Sequence, residues 1–272
     1  MSERDPELDV VEAIYDALDA DDPERALQLA RQALADSEDD DPVIHFLAGV
    51  ALLELDEPER AVESLGRAAE IDPDDAEVRA NLALALFRAC RFADGSKEAA
   101  RAVETDPALP DALYVQALLL EREGSTDRAD KQFSRAAKLD PERFPSPSRM
   151  SGAEFEAQIE TARGSLPEEF TRRLDEVAVT VEPFPSDEVL LEEDPPMDPE
   201  LFGLFVGVAL TDRSSFSPGG ELPPRILLFK RNLERCFPEP DELVRQIAVT
   251  LYHELGHYLG MDEDELEAIG LD

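Results

Sequence analysis

The chain has 272 residues, of which 64 are acidic and 26 basic, so its formal charge at pH 7 is −38. A surface this acidic repels phosphate backbones and anionic lipids, which argues against nucleic-acid and membrane binding. No stretch approaches the roughly 18 apolar residues of a membrane-spanning helix.

Length and charge distribution predict two soluble domains, because a chain of this length can bury two separate cores. When the chain is divided at residue 145, the first part has a formal charge of about −20 and the second about −18. Both halves are therefore acidic. The two cysteines, Cys90 and Cys236, match no metal-binding or disulfide spacing. We therefore expect a cytoplasmic protein with reduced cysteines. The sequence does not indicate an oligomeric state.

The first half of the chain repeats with a period of 34 residues. Asp-Pro pairs stand at residues 72–73, 106–107 and 140–141. Small residues recur in the same register at positions 49, 83 and 117, at 61, 95 and 129, and at 68, 102 and 136. Small side chains let paired helices approach closely, and each proline stops the second helix of its unit. The pattern therefore predicts units of two helices.

These units resemble the tetratricopeptide repeat over residues 42–75, 76–109 and 110–143, with a degenerate unit before them. The resemblance implies an α-helical repeat solenoid over residues 1–143, whose groove binds an extended peptide or helix of a protein partner. An array that serves mainly as a scaffold is the alternative. No residue in the repeats identifies the ligand.

A linker rich in proline and serine at residues 144–150 separates the repeats from a second domain, which we place at 151–272. Residues 151–175 are typical of helix, with a break at 164–167 where a new helix starts at a proline. Strand candidates follow at residues 177–181, 201–210 and 225–229.

The remaining elements are an acidic loop and a long final helix. Residues 185–199 are acidic and contain prolines, which predicts an irregular loop. Asp241 is expected to cap the helix, apolar residues recur along it at helical spacing, and Gly260 is expected to end it.

His253 and His257 on this helix point most directly to a reaction. Residues four apart lie on one face of a helix, so both imidazoles can bind one divalent metal. Glu254, next to the first histidine, places a carboxylate near a water on that metal. Two histidines can also cap or pair at the edge of a core. His45, the remaining histidine, is expected to pack between repeat helices.

A catalytic zinc usually has three protein ligands and one open position. Gly260 can turn the chain sharply and carry the acidic residues at 262–264 back towards the histidines. Any of the three carboxylates can complete the site. Asp262 can alternatively cap a closing helix.

Residues 150–272 resemble compact bacterial zincin-like metallopeptidases, whose signature is His-Glu-x-x-His-x-x-Gly-x-x-Asp. The resemblance extends to residues 165–170, 174–179, 203–207, 210–214 and 226–229. It implies a small α+β domain with His253 and His257 as zinc ligands and Glu254 as general base. The aspartate of the signature falls on Glu263 here, so the order of candidates for the third ligand is Glu263, then Asp262, then Asp264.

Together these observations predict a zinc-dependent peptidase whose repeat array binds a protein partner or substrate. The alternative is an adaptor protein in which the metal site is structural or vestigial. The strand at residues 201–210 is a candidate edge for pairing with an extended substrate, and an ordinary buried strand of the sheet is the equal alternative. Arg213 or Tyr258 could stabilise an oxyanion, but a surface ion pair or packing explains each of them better.

Overall fold

The computed structural model describes residues 6–36, 40–166, 168–208, 210, 223–262 and 265–266. These residues form two compact units. The first runs through Phe144 and includes Glu193–Asp198, and the second begins at Pro145 and contains the other described residues.

The first unit consists of paired helices in the described part of the chain. They are α1 Pro6–Asp19, α2 Pro23–Asp36, α3 Pro42–Glu54, α4 Pro58–Ile71, α5 Ala76–Arg88, α6 Phe92–Thr105, α7 Pro110–Arg122 and α8 Thr126–Leu139. Helices α3, α5 and α7 begin 34 residues apart, and so do α4, α6 and α8. The helical repeat that the sequence predicts is therefore confirmed.

The small residues of the repeat lie where the helices meet. Ala68, Ala102 and Ala136 are fully buried, and so are Ala61 and Ala129. Each helix pair packs on itself and on the next pair along the chain. Because an alanine leaves little bulk between two helix axes, these columns set the close spacing of the solenoid.

Helix starts in the repeats follow local rules. The Asp75 carboxylate accepts hydrogen bonds from the backbone N–H groups of Glu77 and Val78, at 2.8 and 3.0 Å, at the start of α5. Asp41 caps α3 in the same way through the N–H of Val43, at 2.8 Å. Such caps satisfy donors that have no partner within the helix.

The second unit combines helices with a small sheet. Its elements are α9 Gly152–Ser165, α10 Glu168–Leu174, β1 Ala178–Glu182, α11 Asp187–Leu190, β2 Gly203–Val206, β3 Arg225–Phe229, α12 Lys230–Cys236 and α13 Pro240–Leu259. The strand order is β1-β3-β2. Strand β3 is parallel to β1 and antiparallel to β2, with Phe205 opposite Ile226. Strand β2 is thus an edge among the described strands.

The core of this unit lies between the sheet, α9 and α13. Its central strand contributes Ile226 and Leu228, both fully buried. Helix α13 contributes a stripe at helical spacing, formed by Leu243, Ile247, Leu251, Leu255 and Tyr258. Burial of this stripe fixes the rotation of α13 about its axis and therefore the face on which the two histidines lie.

Two local predictions were wrong. Helix α13 begins at Pro240 with Glu239 at the cap position, so Asp241 lies in the first turn and does not cap. Proline suits the first helical position because its φ is preset and its missing N–H would have no partner there. The predicted loop at residues 185–199 contains α11, which the Ser186 hydroxyl caps at the N–H of Val189. No described helix is long and apolar enough to cross a membrane.

Candidate metal centre

The face of α13 opposite the core carries the candidate ligands. His253 and His257 are half-buried, whereas Leu251 and Leu255 between and beside them are fully buried. The two imidazoles are therefore accessible while the helix that carries them is firmly anchored.

The ring nitrogens of these histidines face each other. Their Nε2 atoms are 3.0 Å apart, and the ring planes are inclined at 79°. Two nitrogens each about 2.0–2.1 Å from a tetrahedral zinc would be separated by about 3.3 Å. The observed pair is within a few tenths of an ångström of that value. The donor atoms thus fit zinc, and one ring can also donate an N–H to the other at the same distance.

Glu254 lies beside this pair and is largely buried, with 7% of its surface exposed. Its Oε2 accepts a hydrogen bond from the backbone N–H of Phe205 on β2, at 2.6 Å. The outward edge of β2 therefore points at the carboxylate. This hydrogen bond orients the carboxylate of Glu254, which is the residue next to the candidate ligand His253.

Close approach of β2 to α13 depends on Gly203. A Cβ atom at this position would lie 2.5 Å from the Thr250 Cγ2 atom and 3.1 Å from the Leu227 carbonyl oxygen. It would also lie 3.2 Å from Cγ of Glu254. Only glycine leaves room for the helix at this distance.

The chain turns at Gly260, as the sequence predicts. Gly260 has φ 89° and ψ 21°, in the left-handed region, and the N–H of Met261 bonds to the Gly256 carbonyl oxygen at 3.0 Å. This geometry closes the last turn of α13 and reverses the chain direction. The fully buried Leu266 follows the turn and packs in the unit's interior.

Asp262 has a capping role after this turn. Its Oδ1 accepts a hydrogen bond from the N–H of Glu265 at 3.0 Å, and the Glu265 carboxylate accepts one from the N–H of Asp262 at 3.2 Å. Glu263 and Asp264 lie outside the described residues. Within the part of the chain that the structure describes, no group of three His, Cys, Asp or Glu side chains comes together around a metal position.

Of the other candidate residues, Tyr258 and His45 have different contacts, and Arg213 lies outside the described residues. The Tyr258 hydroxyl donates to Oε2 of Glu176 at 3.1 Å, and Tyr258 is buried in the core. Tyr258 therefore packs and does not face the histidine pair. Arg213 is outside the described residues. His45 belongs to α3, where its Nε2 lies 2.5 Å from Oδ1 of Asp40.

Sequence reasoning missed a buried polar network that holds the start of β2. The side-chain amide of Asn232 donates to the carbonyl oxygens of Pro199 and Leu201, at 2.9 and 2.7 Å. Arg235 donates to Oδ1 of Asn232 at 3.2 Å and to the Glu200 carboxylate at 2.9 Å. The only sequence signal was a polar helix directly after a buried strand, and periodicity does not show which of its residues turn inward.

A cleft of about 230 Å³ adjoins the candidate centre. His253 and Glu254 contribute to its lining. The other lining residues come from β2 with the two residues before it and from the preceding turns of α13: Leu201, Phe202, Gly203, Gln246, Val249 and Thr250. The cleft therefore lies on the face of α13 that carries His253.

Profiles of known protein families match both regions of the chain. The family described as zincin-like metallopeptidase matches residues 174–271. Profiles described as tetratricopeptide repeat match residues 11–76, 52–119 and 110–143. The chain therefore combines tetratricopeptide repeats in its N-terminal region with a zincin-like metallopeptidase domain.

Solved structures similar to this chain include that of YrrB, described as a TPR protein with an unusual peptide-binding site. The similarity has a TM-score of 0.42 at 21% identity and covers 48% of this chain and 66% of that one. A crystal structure of MamA matches with a TM-score of 0.42 at 20% identity, covering 46% of this chain and 73% of the other. No curated protein matches the chain.

Proposed function

We propose that the chain is a zinc-dependent peptidase with a repeat array that binds a protein partner or substrate. The observation that carries this proposal is the histidine pair on α13, with Nε2 atoms 3.0 Å apart and the buried carboxylate of Glu254 beside it. Paired imidazoles and an adjacent carboxylate are the groups that a metal-dependent hydrolase requires.

His253 and His257 would hold the zinc ion together with one carboxylate from the segment after Gly260. Glu263 is our first candidate for this third ligand, followed by Asp262 and Asp264. The capping bonds of Asp262 give that residue a structural role, which favours Glu263. A carboxylate oxygen is an acceptable zinc ligand beside two imidazoles.

Zinc supplies Lewis acidity when bound, which lowers the pKa of a water and polarises a peptide carbonyl. Glu254 would accept the proton of the attacking water and pass it to the leaving amine. The N–H of Phe205 would hold the carboxylate in place during this transfer, because it already binds Oε2. The burial of Glu254 limits competing water around its carboxylate.

The outward backbone groups of β2 other than the Phe205 N–H, which binds Glu254, would pair with an extended substrate chain. Strand β2 is an edge of the described sheet, and its Phe205 N–H points towards Glu254. A peptide bound along this edge would therefore run past the carboxylate that acts as base. Backbone pairing of this kind supplies affinity with little demand on side-chain identity.

The repeat array would recruit a partner segment that is basic or neutral. The first helices of successive units, α1, α3, α5 and α7, pack beside one another. Burial raises the pKa of Glu77 on α5, and the nearby carboxylates of Asp75 and Asp111 raise it further. Tyr15 on α1 is 45% exposed, and burial together with Glu77 and Asp75 raises its pKa. A cationic partner would relieve this crowding of negative charge.

The protein would reside in a reducing compartment such as the cytoplasm. The support for this is the sequence, in which Cys90 and Cys236 match no disulfide spacing.

The test is turnover of a peptide library by purified protein, with and without a chelator, together with its zinc content. We expect about one zinc per chain, chelator-sensitive cleavage, and loss of both in His253→Ala. His45→Ala is the matched control and should keep both, because His45 lies on α3. Zinc retention in His253→Ala would refute the site. Zinc binding without turnover of any peptide would instead support an adaptor with a structural metal.

A further inference from the structure

Asn232 is a buried polar residue outside the candidate centre. It lies on α12, three residues after the end of β3, and 2% of its surface is exposed. Its side-chain amide donates to the carbonyl oxygens of Pro199 and Leu201, at 2.9 and 2.7 Å. Both N–H donors of the amide are therefore used on the segment that leads into β2.

Arg235 fixes the orientation of this amide. It donates to Oδ1 of Asn232 at 3.2 Å, and a guanidinium can only donate. The amide oxygen therefore faces Arg235, and the NH2 group faces the two carbonyl groups. Arg235 is itself buried, and the Glu200 carboxylate accepts a further hydrogen bond from it at 2.9 Å. The network thus holds three consecutive residues, 199–201, just before β2.

The position of β2 depends on this anchor, because the strand is short. It has four residues, and within the described sheet it pairs with β3 only. Successive N–H groups of a strand point to opposite edges, so a slip of one residue along β3 would turn the N–H of Phe205 away from Glu254. Leu201 lies two positions before the first residue of β2. An anchor this close to the start of the strand opposes such a slip.

We propose that Asn232 is a positioning residue of the peptidase: it holds β2 in the register at which the Phe205 N–H binds and orients the Glu254 carboxylate. This inference rests on the proposed function, from which it takes the role of Glu254 as general base. The connection runs through backbone groups, from the Leu201 carbonyl to the Phe205 N–H. Loss of the anchor misaligns the base and lowers kcat, although Asn232 carries no reacting atom.

The first test observes the Phe205 amide by NMR of the full chain labelled with 15N-phenylalanine, and it needs no cleavage. An N–H whose nitrogen lies 2.6 Å from a carboxylate oxygen resonates downfield and exchanges slowly with solvent. Asn232→Leu keeps the branching of the side chain but removes both donors. We expect the Phe205 resonance to move upfield and its exchange to become at least about tenfold faster.

Two further variants make this measurement specific. Glu200→Gln acts at the partly exposed end of the network, where it weakens the contact with Arg235, and it should give a smaller upfield shift. Val177→Ala is the control. It removes buried volume from the same unit beside β1, which β3 separates from β2, so it should leave the Phe205 amide unchanged. An unchanged amide in folded Asn232→Leu and Glu200→Gln would overturn the proposal.

Kinetics test the connection to the base. We expect Asn232→Leu to keep its zinc and to lose about tenfold or more in kcat. In Glu254→Gln protein, where the base is already absent, the same change should lower residual turnover much less. Equal losses in both backgrounds would overturn the proposal, because they would show that Asn232 does not act through the base.

Failure of the peptidase is distinguishable from failure of the anchor. If the wild type cleaves no peptide, the proposed function fails. A shifted Phe205 amide in Asn232→Leu would then still support the anchoring of β2 against Glu254, and an unchanged one would overturn it.

Discussion

The backbone N–H of Phe205 donates a hydrogen bond to Oε2 of Glu254, with the two atoms 2.6 Å apart. This bond joins the edge strand β2 to α13, which carries the candidate zinc ligands His253 and His257 on either side of Glu254 in the sequence. The strand at whose edge we propose that a peptide binds thus also holds the proposed base. Changes that move β2 should therefore change catalysis even where they leave the histidines untouched.

Gly203→Ala should destabilise the second unit and reduce peptide turnover. The added Cβ would lie 2.5 Å from the Thr250 Cγ2 atom, and overpacking of this kind costs about 1–3 kcal/mol. Displacement of β2 would also weaken the Phe205–Glu254 bond and lower kcat. Urea unfolding and steady-state kinetics measure the two effects. Gly164→Ala is the control, since a Cβ there meets nothing within 4 Å, and equal behaviour of the two variants would contradict the prediction.

Gly260→Ala should lower both stability and zinc affinity. Its φ of 89° costs a residue with a Cβ about 1–2 kcal/mol. In the proposed site, the turn also sets the direction of the segment that would provide the third ligand. Gly260→Asn should be milder, because asparagine tolerates the left-handed region. Competition with a chromophoric chelator measures the affinity. Equal zinc affinity of wild type and Gly260→Ala would show that the turn does not position a ligand.

Substitutions after the turn should identify the third ligand. Glu263→Ala is expected to weaken zinc binding by more than about tenfold. Loss of a residue that only supports a zinc ligand already weakens metal binding by about tenfold or more, and loss of a ligand should cost more. Asp262→Ala should instead reduce stability by about 0.5–2 kcal/mol through loss of the cap, with little change in zinc affinity. Zinc titrations of the three variants at positions 262, 263 and 264 decide the order. A large loss confined to Asp264→Ala would replace our candidate.

The contact between Asp40 and Arg67 should make the stability of the repeats depend on pH. Arg67 and then His45 lower the pKa of Asp40 through hydrogen bonds, and the Arg67 Nε is 2.7 Å from Oδ2. A carboxyl whose pKa is lower in the folded protein than in the unfolded chain stabilises the fold at pH values above its ordinary pKa, which is about 4. This contribution is lost as the pH falls through the lowered pKa. Asp40→Asn should therefore be less stable than wild type at pH 7 but equally stable at strongly acidic pH. Urea titrations at several pH values test this, and a difference that persists in strong acid would contradict it.

The periodic features of the chain were predictable from the sequence. The 34-residue repeat predicted the paired helices. In the structure, its alanines at positions 68, 102 and 136 are buried at equivalent helix contacts. The stripe of α13 and the left-handed turn at Gly260 were also predictable, because helical spacing and glycine act locally. The three strands followed from short apolar runs, with β2 shorter than expected.

The features that depend on distant contacts were not predictable. Phe205 and Glu254 are 49 residues apart, and nothing in either local sequence records their hydrogen bond. The inward turn of Asn232 depends on where the carbonyl groups of Pro199 and Leu201 lie after folding. Periodicity describes which face of one element is buried, but polar contacts between elements are set by the whole fold.

The most direct test of the proposed peptidase compares wild type with Glu254→Gln at equal zinc content. Glutamine keeps the size of the side chain and an oxygen for the Phe205 N–H, but it cannot accept the proton of the attacking water. We predict one zinc per chain in both proteins, cleavage of the peptide library by the wild type, and a loss of at least about a hundredfold in kcat for the variant. Undiminished cleavage by zinc-loaded Glu254→Gln would contradict the account.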